Sequence, residues 1–438
     1  MNLEILGLVL VALLFVVILG GFPISFTLIF LGMAFGYIGL GDRVFYLMTY
    51  QYFGTMMETT LAAVALFTFM GYVLESAGLM RRLFHAVQIA CGRMHGSLYL
   101  ATIFTAMLFA AATGIVGAAV TLIALMAGPV MQKKGYDTAL SAGTICAGGT
   151  LGILIPPSVM LVVMGPVLQV SIARLYAAAL LPGLLLGALY LGYTLMRTWM
   201  NPRLGPPLPP EELNVSRGYL VREMLAGLFP PAVLIMATLG TIISGWATPT
   251  EGAALGCAGA IAVTAAHRRL SFRVLKDATF RTAETTSMVM ILLAASTFMG
   301  SVFSAFGTPQ FIADAILSWE ISPGFLILSI LIVCFILGWP LEWVPIVVII
   351  VPIFLPLLIA LKVDMIWFSI LLAVTLQTCW LSPPVALSAY YLKGVIPEWK
   401  LWEIYKGMLP FMALQASCVL ILYFFPEIAL TLPNLWYR

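Results

Sequence analysis

The stretch GGTLGILIPPSVM, residues 148–160, places two consecutive prolines inside a strongly apolar segment. A second pair occurs in QTCWLSPPVALS, residues 377–388. Proline interrupts an α-helix because it has no backbone N–H and its ring clashes with the carbonyl group one turn earlier. Each stretch therefore predicts a break in an apolar helix, and its recurrence argues against an incidental kink.

The composition identifies the bilayer as the solvent around these helices. Hydrophobic residues make up 62% of the 438 residues and charged residues 9%, whereas soluble domains carry about 25% charged residues. Apolar runs long enough to cross a membrane recur along the chain, and the first, residues 3–20, lacks a basic leader and is predicted to be retained. We predict an all-α polytopic membrane protein, because the strands of a barrel would alternate in polarity.

The basic residues predict the orientation of the chain in the membrane. Loops 81–93 and 267–281 are the richest in Lys and Arg, so both are placed in the cytoplasm. Counting spans from these loops puts all but five of the 21 Lys and Arg residues inside and both chain ends outside. The five exceptions are Arg43, Lys133, Lys134, Arg174 and Arg438.

A polar, proline-rich segment divides the chain into two halves that resemble each other. The prediction is a first repeat over 1–197, a cytoplasmic linker over 198–222 and a second repeat over 223–438. The motif Thr-Phe-Met-Gly at 68–71 recurs at 297–300. Asp137, Pro156 and Pro157 each recur 227 residues later, as Asp364, Pro383 and Pro384.

The charges of matching loops predict that the two repeats are inverted. Residues 81–95 are basic, whereas their counterparts, about 308–322, carry acidic residues and no Lys or Arg, as an extracytoplasmic loop can. Inverted repeats with interrupted helices are an architecture of secondary transporters, in which the substrate site lies near the middle of the bilayer. The sequence therefore favours a transporter.

The proline pairs predict re-entrant hairpins at about 138–172 and 364–395. Each limb beside a pair has about 13 to 15 residues, roughly 20 Å of helix, which is too short for a hydrocarbon core of about 30 Å. A further interruption precedes each predicted hairpin and predicts an interrupted transmembrane helix. Its residues are Thr113, Gly114 and Gly117 in the first half and Gly338, Pro340 and Glu342 in the second.

Such breaks supply the chemistry for binding ions and anions. The N-terminus of the limb after each proline pair carries unpaired N–H groups and partial positive charge, which suit a carboxylate. Freed carbonyls and the hydroxyls of Thr150, Ser158, Thr378 and Ser382 are hard oxygen ligands of the kind that Na⁺ prefers. Glu342 is a carboxylate at membrane depth, which usually marks an ion or proton pathway.

At this point the sequence resembles the large membrane subunit of tripartite ATP-independent periplasmic (TRAP) transporters. The resemblance is carried by GGTLGILIPPSVMLVVMG at 148–165, LLPGLLLG at 180–187, Thr-Pro-Thr-Glu at 248–251 and the second proline pair. It implies site residues at both predicted hairpin tips. They are Gly148, Gly149, Thr150, Pro156, Pro157 and Ser158 in the first and Gln377, Thr378, Ser382, Pro383 and Pro384 in the second.

The resemblance also implies a mechanism, partners and a location. These are an elevator-type symporter of the bacterial inner membrane, with Na⁺ as coupling ion, no other cofactor and Na⁺ sites at both tips. The implied partners are a small four-helix membrane subunit (Q type) and a periplasmic substrate-binding protein (P type) that delivers an organic acid. The second tip lacks the threonine before the prolines that many members have, and it looks like a branch associated with 2-oxo acids or similar small carboxylates.

Four other classes of protein compete with this interpretation. A stand-alone Na⁺/dicarboxylate-type carrier with inverted hairpins, and a channel, share the predicted architecture. An ATP-driven pump is disfavoured because the sequence contains no GxxxxGK[ST] loop. An intramembrane aspartyl protease is the one enzyme considered, from Asp42 in GLGD and Asp137 in YD, but these motifs occur in the reverse of the protease order. The prediction is that the chain is not an enzyme.

Overall fold

The computed structural model describes residues 2–318 and 322–437, which form helices and their connections, without a β-strand in these ranges. Seven helices of the described part are long and apolar enough to cross a membrane, which agrees with the predicted all-α membrane class. The helices before the linker are α1 (Leu3–Leu19), α2 (Ile24–Leu40), α3 (Arg43–Met57), α4 (Ala62–Ser76), α5 (Leu79–Ala90), α6 (Ser97–Thr113), α7 (Val116–Lys133), α8 (Thr138–Thr150), α9 (Val159–Leu168) and α10 (Ile172–Met200).

The helices after the linker follow a similar order. They are α11 (Arg217–Ile243), α12 (Pro249–Ala266), α13 (Phe272–Ala305), α14 (Thr308–Leu317), α15 (Pro323–Leu337), α16 (Trp343–Pro345), a π-helical turn (Ile346–Ile350), α17 (Val351–Ala360), α18 (Met365–Gln377), α19 (Leu387–Val395), α20 (Leu401–Phe424) and α21 (Glu427–Trp436). The series from α4 to α10 thus corresponds in order to the series from α13 to α20.

Local details at matching positions are also shared between the halves. Gly78 and Gly307, which precede α5 and α14, have φ values of +73° and +74°, a left-handed conformation that glycine adopts at little cost. Asp137 accepts a hydrogen bond from the backbone of α8, and Asp364 accepts two from the backbone of α18. Both acidic residues are therefore N-caps, which explains why Asp occurs at each position.

Together, α6 and α7 return the chain to the side of the membrane from which α6 starts. The hydroxyl of Tyr136, just beyond α7, lies 3.3 Å from the Ser97 hydroxyl and accepts a hydrogen bond from the Leu98 N–H at the start of α6. A continuous crossing of this length would separate these ends by the thickness of the membrane. Residues 97–133 therefore form a re-entrant hairpin, and the prediction of an interrupted crossing there is wrong.

The segment with the first proline pair crosses from one end of the molecule to the other. It lies antiparallel to α10, a helix of 29 residues and about 43 Å. The Tyr176 hydroxyl, near the start of α10, bonds to the Ser158 carbonyl, whereas the Asp137 N–H bonds to the Leu204 carbonyl just after the end of α10. Residues 138–168 are thus an interrupted crossing, and the hairpin predicted at about 138–172 is wrong.

In the second half, too, the predicted hairpin and the predicted interrupted crossing are interchanged. α18 and α19 lie antiparallel to α20, since the Trp367 indole donates to the Leu422 carbonyl and the Tyr405 hydroxyl donates to the Pro384 carbonyl. α15 and α17 return to one side, because α15 follows α14 directly in the chain and α17 packs against α14. The hairpin predicted at about 364–395 is therefore an interrupted crossing, and the helix predicted as interrupted is the hairpin. Limb length cannot distinguish the two, because both kinds of segment have short limbs.

This exchange moves three basic residues to the other side of the membrane. Lys134 forms an ion pair with Glu212 of the linker, so Lys133 and Lys134 lie on the linker side, opposite to the predicted position. Lys362 follows α17 and lies on the far side. The number of crossings in each half is unchanged, so the linker stays on the side of the basic loops.

The linker is ordered and packs against the first half of the chain. α10 extends to Met200 and α11 begins at Arg217, so the linker is shorter than the predicted 198–222 and contains two 3₁₀ turns. The Leu208 N–H bonds to the Gly92 carbonyl, and the Leu204 carbonyl accepts from the Tyr99 hydroxyl at 2.7 Å. The linker thereby connects the end of α5 to the base of the first hairpin.

Candidate functional site

A cavity of about 580 Å³ lies where both hairpin tips meet both helix breaks. The tips of α6–α7 and α15–α16 form one wall, together with the residues that flank the breaks in α8–α9 and α18–α19. Helices α4 and α13 form the opposite wall. The residues that line the cavity include Gly114, Gly117, Glu342, Trp343, Val159, Leu387, Tyr72, Glu75, Arg281 and Glu284.

The tip of the first hairpin depends on two glycines. Gly114 has φ +61°, in the left-handed region, and directs the chain from α6 into α7. A Cβ atom on Gly117 would lie 2.8 Å from Cζ of Tyr391, so glycine lets α19 approach α7 closely. The side chain of Thr113, a predicted site residue, lies outside the part of the chain that is described.

The tip of the second hairpin carries an acidic side chain. Gly338 ends α15, and a Cβ atom there would lie 2.5 Å from the Cys379 sulfur, so the tip packs directly on the break between α18 and α19. Pro340 lies in the turn that follows, and Glu342 is extended, with φ −74° and ψ 167°, immediately before α16. Within the described residues, the half-buried Glu342 carboxylate forms no hydrogen bond or ion pair, and it lines the cavity.

The break after α8 is enclosed by protein. α8 continues as a 3₁₀ turn over Leu151–Ile153, the peptide bond between Pro156 and Pro157 is cis, and residues 151–165 are all buried. The Ser158 hydroxyl donates to the Ile153 carbonyl at 2.5 Å and accepts from the Leu161 N–H, so it caps α9. The first residue of α9, Val159, lines the cavity.

The break after α18 has a similar path but a more open position. A 3₁₀ turn covers Thr378–Trp380, and the peptide bond between Pro383 and Pro384 is also cis. The Ser382 hydroxyl donates to the Thr378 carbonyl at 2.7 Å. Pro384 is exposed, and its carbonyl accepts hydrogen bonds from the hydroxyls of Tyr405 and Tyr390 at 3.0 and 3.3 Å. Leu387, the first residue of α19, lines the cavity.

Most of the predicted site residues lie behind the cavity rather than on it. Of the predicted set, those that line the cavity are Gly114, Gly117 and Glu342. The hydroxyls of Thr150 and Thr378 donate to carbonyls one turn earlier, at Ala147 and Thr375. The remaining predicted residues shape the breaks or allow close packing. They are Gly148, Gly149, Pro156, Pro157, Ser158, Gln377, Ser382, Pro383, Pro384, Gly338 and Pro340.

A buried polar cluster joins the two breaks behind the cavity. Thr150 and Gln377, which end α8 and α18, are 227 residues apart, and Thr150 Oγ1 lies 3.4 Å from Gln377 Oε1. The Gln415 side-chain amide donates to both, at 3.4 and 3.5 Å. All three side chains are fully buried. The cluster therefore links the two interrupted helices to α20, and sequence reasoning missed Gln415 although it is an amide in an apolar span.

Sequence reasoning also missed the charged wall of the cavity. Arg281 belongs to the basic segment that was interpreted as a loop, but it lies on α13 and lines the cavity together with Glu75 and Glu284. α13 is 34 residues long, so its first turns extend beyond the hydrocarbon core while Arg281 lies farther along it. The helical spacing of Arg281, Glu284 and Thr285 was the available signal, since these residues share one face.

The two aspartates considered for a protease lie far apart. Asp137 caps α8 on the linker side, whereas Asp42 directly precedes α3 on the far side, next to Gly39, which packs on Phe306 at the end of α13. Two aspartates activate water only when they share a proton at contact distance. This pair therefore forms no aspartyl protease site.

Comparisons with known proteins agree with this architecture. The sequence model of the family described as "Tripartite ATP-independent periplasmic transporter, DctM component" matches residues 11–428. The chain belongs to this family. Its members are large permease subunits of tripartite systems that contain a small membrane subunit and a periplasmic binding protein, so this chain is a multi-pass membrane protein of a transport system and not a member of an enzyme family.

Three relatives illustrate the range of the family. The chain is 32% identical to the isethionate TRAP transporter permease protein DctMQ of Oleidesulfovibrio alaskensis over 84% of its length, although it spans 57% of that protein. It is 30% identical to the C4-dicarboxylate large permease DctM of Pseudomonas aeruginosa, over 87% of this chain and 88% of the relative. It is 27% identical to the sialic acid large permease SiaM of Vibrio cholerae, over 95% and 96%.

A solved structure shares the fold at low sequence identity. The YdaH transporter of Alcanivorax borkumensis, whose crystal structure is described as having an unusual topology, superposes with a TM-score of 0.64 over 98% of both chains. The two sequences are 14% identical, so this likeness concerns the fold alone.

Proposed function

We propose that this chain is the permease subunit that imports a small organic acid delivered by a periplasmic binding protein. A cation gradient drives this import, and the proposed coupling cation is Na⁺. The observation that carries the proposal is the cavity of about 580 Å³ that both hairpin tips and both helix breaks share. A site built from interrupted helices at the meeting point of two related halves is typical of secondary transporters.

The two short helices beside the cavity support binding of an acid group. α9 and α19 each begin at a residue that lines the cavity, and the N-terminal turn of a helix carries unpaired N–H groups and partial positive charge. Both N-termini therefore favour a carboxylate in the space between them. The relatives transport a sulfonate, C4-dicarboxylates and a sialic acid, according to their names, so the common feature is an anionic substrate.

Glu342 supports coupling to a cation. A half-buried carboxylate without a partner in the described residues is costly at membrane depth, and a bound cation or proton removes that cost. Its position on the second hairpin tip makes the charge of the cavity depend on the coupling ion. An anion then enters a site whose negative charge is already compensated.

The arrangement of the two walls supports the proposal of an elevator-type movement. The two interrupted crossings pack on α20 and α10, and each hairpin packs on a crossing, the first on α8 and the second on α18, which makes one body. Helices α4 and α13 pack on each other and on α2, α3 and α12 as a second body. Sliding the first body against the second would carry the cavity across the bilayer. We place the linker side in the cytoplasm of a bacterial inner membrane because basic residues concentrate there, which puts both ends of this sequence in the periplasm.

The test of this function is uptake in proteoliposomes that contain this chain and its small subunit. Labelled succinate, pyruvate and isethionate are offered with and without the binding protein, and with Na⁺ replaced by K⁺. We expect uptake of at least one acid that requires both the binding protein and Na⁺. Uptake without any binding protein would instead support a stand-alone carrier, and flux that ignores all cation gradients would contradict coupling.

Glu342→Gln sharpens the test of coupling. We expect uptake to fall at least about tenfold, because the amide keeps the shape of the side chain and removes the charge that a coupling cation would neutralise. The matched control is Glu427→Gln, an exposed carboxylate in the first turn of α21 outside the cavity. Equal Na⁺ dependence in wild type and Glu342→Gln would contradict the role of Glu342.

A further inference from the structure

The charge of the cavity leaves a substrate anion with one basic side chain to bind. Among the described residues that line the cavity, the carboxylates are Glu75, Glu284 and Glu342, and Arg281 is the only Lys or Arg. Helix N-termini supply partial charge, but a cavity with three acidic side chains repels a carboxylate. Arg281 is therefore the one full positive charge that an entering or leaving anion meets.

The exposed Arg281 side chain contacts an aromatic ring and donates no hydrogen bond within the described residues. Its Cζ atom lies 5.9 Å from the centroid of the Tyr72 ring, a cation–π arrangement. The Tyr72 hydroxyl lies 3.1 Å from the Thr285 hydroxyl, one turn farther along α13, which fixes the ring between α4 and α13. The guanidinium lies over the face of the ring, and this contact is electrostatic rather than a hydrogen bond from its N–H groups.

No acidic residue in the described part of the chain lies within ion-pair distance of Arg281. The ion pairs found within 4.0 Å join Arg82 to Glu223 and Lys134 to Glu212, although Glu75 and Glu284 line the same cavity. A guanidinium presents a fork of N–H donors that matches a carboxylate or sulfonate with two parallel hydrogen bonds. The Arg281 guanidinium, which donates no hydrogen bond within the described residues, thus has the chemistry that binds an anionic substrate.

We propose that Arg281 is the specificity-determining residue for the anionic group of the substrate, and that it binds a carboxylate or sulfonate at the linker-side mouth of the cavity. This inference rests on the proposed function, since it concerns the same cavity. α13 begins on the linker side, and Arg281 lies nine residues into it, about 14 Å along the helix. The anion reaches this mouth on its way to or from the linker side.

The test measures binding and uptake in the complex of the full chain with its small subunit. Labelled succinate, pyruvate and isethionate are titrated onto wild type, Arg281→Gln and Arg281→Lys, and succinamide serves as an uncharged competitor. The matched control is Lys276→Gln, which removes one positive charge from the same helix, where Lys276 also lies over an aromatic ring, Phe280, but outside the cavity lining.

We expect Arg281→Gln to weaken binding of the transported acid at least about tenfold, because a hydrogen-bonded charged group is removed. Arg281→Lys should recover part of this loss, and Lys276→Gln should bind like wild type. The preference for succinate over succinamide should also collapse in Arg281→Gln, which a merely structural role of Arg281 would not produce.

Three results would overturn the inference in distinguishable ways. Wild-type affinity and unchanged anion preference in Arg281→Gln would reject Arg281 while leaving the proposed function intact. A wild-type complex that neither binds nor imports any of the three acids would contradict the proposed function, and the inference with it. Loss of binding in Lys276→Gln as large as in Arg281→Gln would assign the effect to general surface charge.

Discussion

The two helix breaks of this transporter subunit have the same backbone plan and differ in their exposure. Both follow a 13-residue helix and a 3₁₀ turn and contain a cis proline pair. Each break is bridged by a serine hydroxyl, from Ser158 to the Ile153 carbonyl and from Ser388 to the Trp380 carbonyl, and each accepts a hydrogen bond from a tyrosine of the long helix that follows, Tyr176 or Tyr405. The first break is buried throughout, whereas the second exposes Pro384, whose carbonyl also accepts a hydrogen bond from Tyr390. Sequence repetition therefore conserves the break and its supports but not its exposure.

The difference extends to the helices that carry the breaks. α8 contacts α20 backbone to backbone, because Gly143 faces Gly407 and Gly407 faces the Ala139 carbonyl. α18 contains no glycine and is anchored by a side chain, since the Trp367 indole donates to the Leu422 carbonyl at 2.8 Å. α8 is thus in direct backbone contact with α20, whereas α18 is held to α20 by a side-chain hydrogen bond.

The largest effect should come from Gly407→Val, which disrupts the contact between α20 and α8, the helix that precedes the first break. A side chain at this position overlaps the backbone of α8, which cannot move without displacing the helix, so we expect a loss of about 3 kcal/mol or more and little folded protein. The control is Gly192→Val on α10, where nothing lies within 4 Å of an added Cβ atom. Thermal unfolding of the purified complex measures both, and equal stability of the two variants would contradict the asymmetry.

A smaller effect is expected from Gln415→Leu, which removes the link between the breaks. The change leaves the buried polar atoms of Thr150 and Gln377 without the amide, which should cost about 1 to 3 kcal/mol. Ser417→Ala, two residues farther along α20 and exposed, should change stability by less than about 0.5 kcal/mol. A Gln415→Leu variant as stable as Ser417→Ala would show that the cluster does not join the breaks.

The smallest effects should separate the two breaks from each other. Ser158→Ala removes a buried cap and should cost about 1 kcal/mol, with faster hydrogen exchange confined to the start of α9. Tyr405→Phe should cost less, about 0.5 kcal/mol, because the Tyr390 hydroxyl still donates to the Pro384 carbonyl. Hydrogen exchange read by mass spectrometry distinguishes them, and equal, molecule-wide effects would contradict local support of each break.

The sequence predicted the breaks correctly and assigned them to the wrong kind of segment. Pro156 and Pro383 indicate where a helix stops, because a proline effect is local. Whether the chain then continues or turns back depends on which neighbour it meets. α8–α9 continues because it pairs with α10 along its whole length, whereas the end of α7 returns to Ser97 through Tyr136. Neither neighbour is encoded near the break.

The functional site likewise contains residues that the sequence could predict and residues that it could not. Glu342 and the hairpin glycines could be predicted because charge and glycine are unusual in an apolar span. Arg281 and Gln415 could not be assigned, since a basic residue near a basic loop and a lone amide have ordinary explanations. Their significance depends on the cavity and on the second break, which approach them from distant parts of the chain.

By itself the sequence determined the solvent, the helical class, the division into two related halves and the places where helices break, because composition and proline act locally. Tertiary structure decided which broken segments cross the membrane and which return, and which polar groups face the cavity. These outcomes follow from packing between helices more than 200 residues apart, as between Thr150 and Gln377, and pairing at that distance leaves no local signal in the sequence.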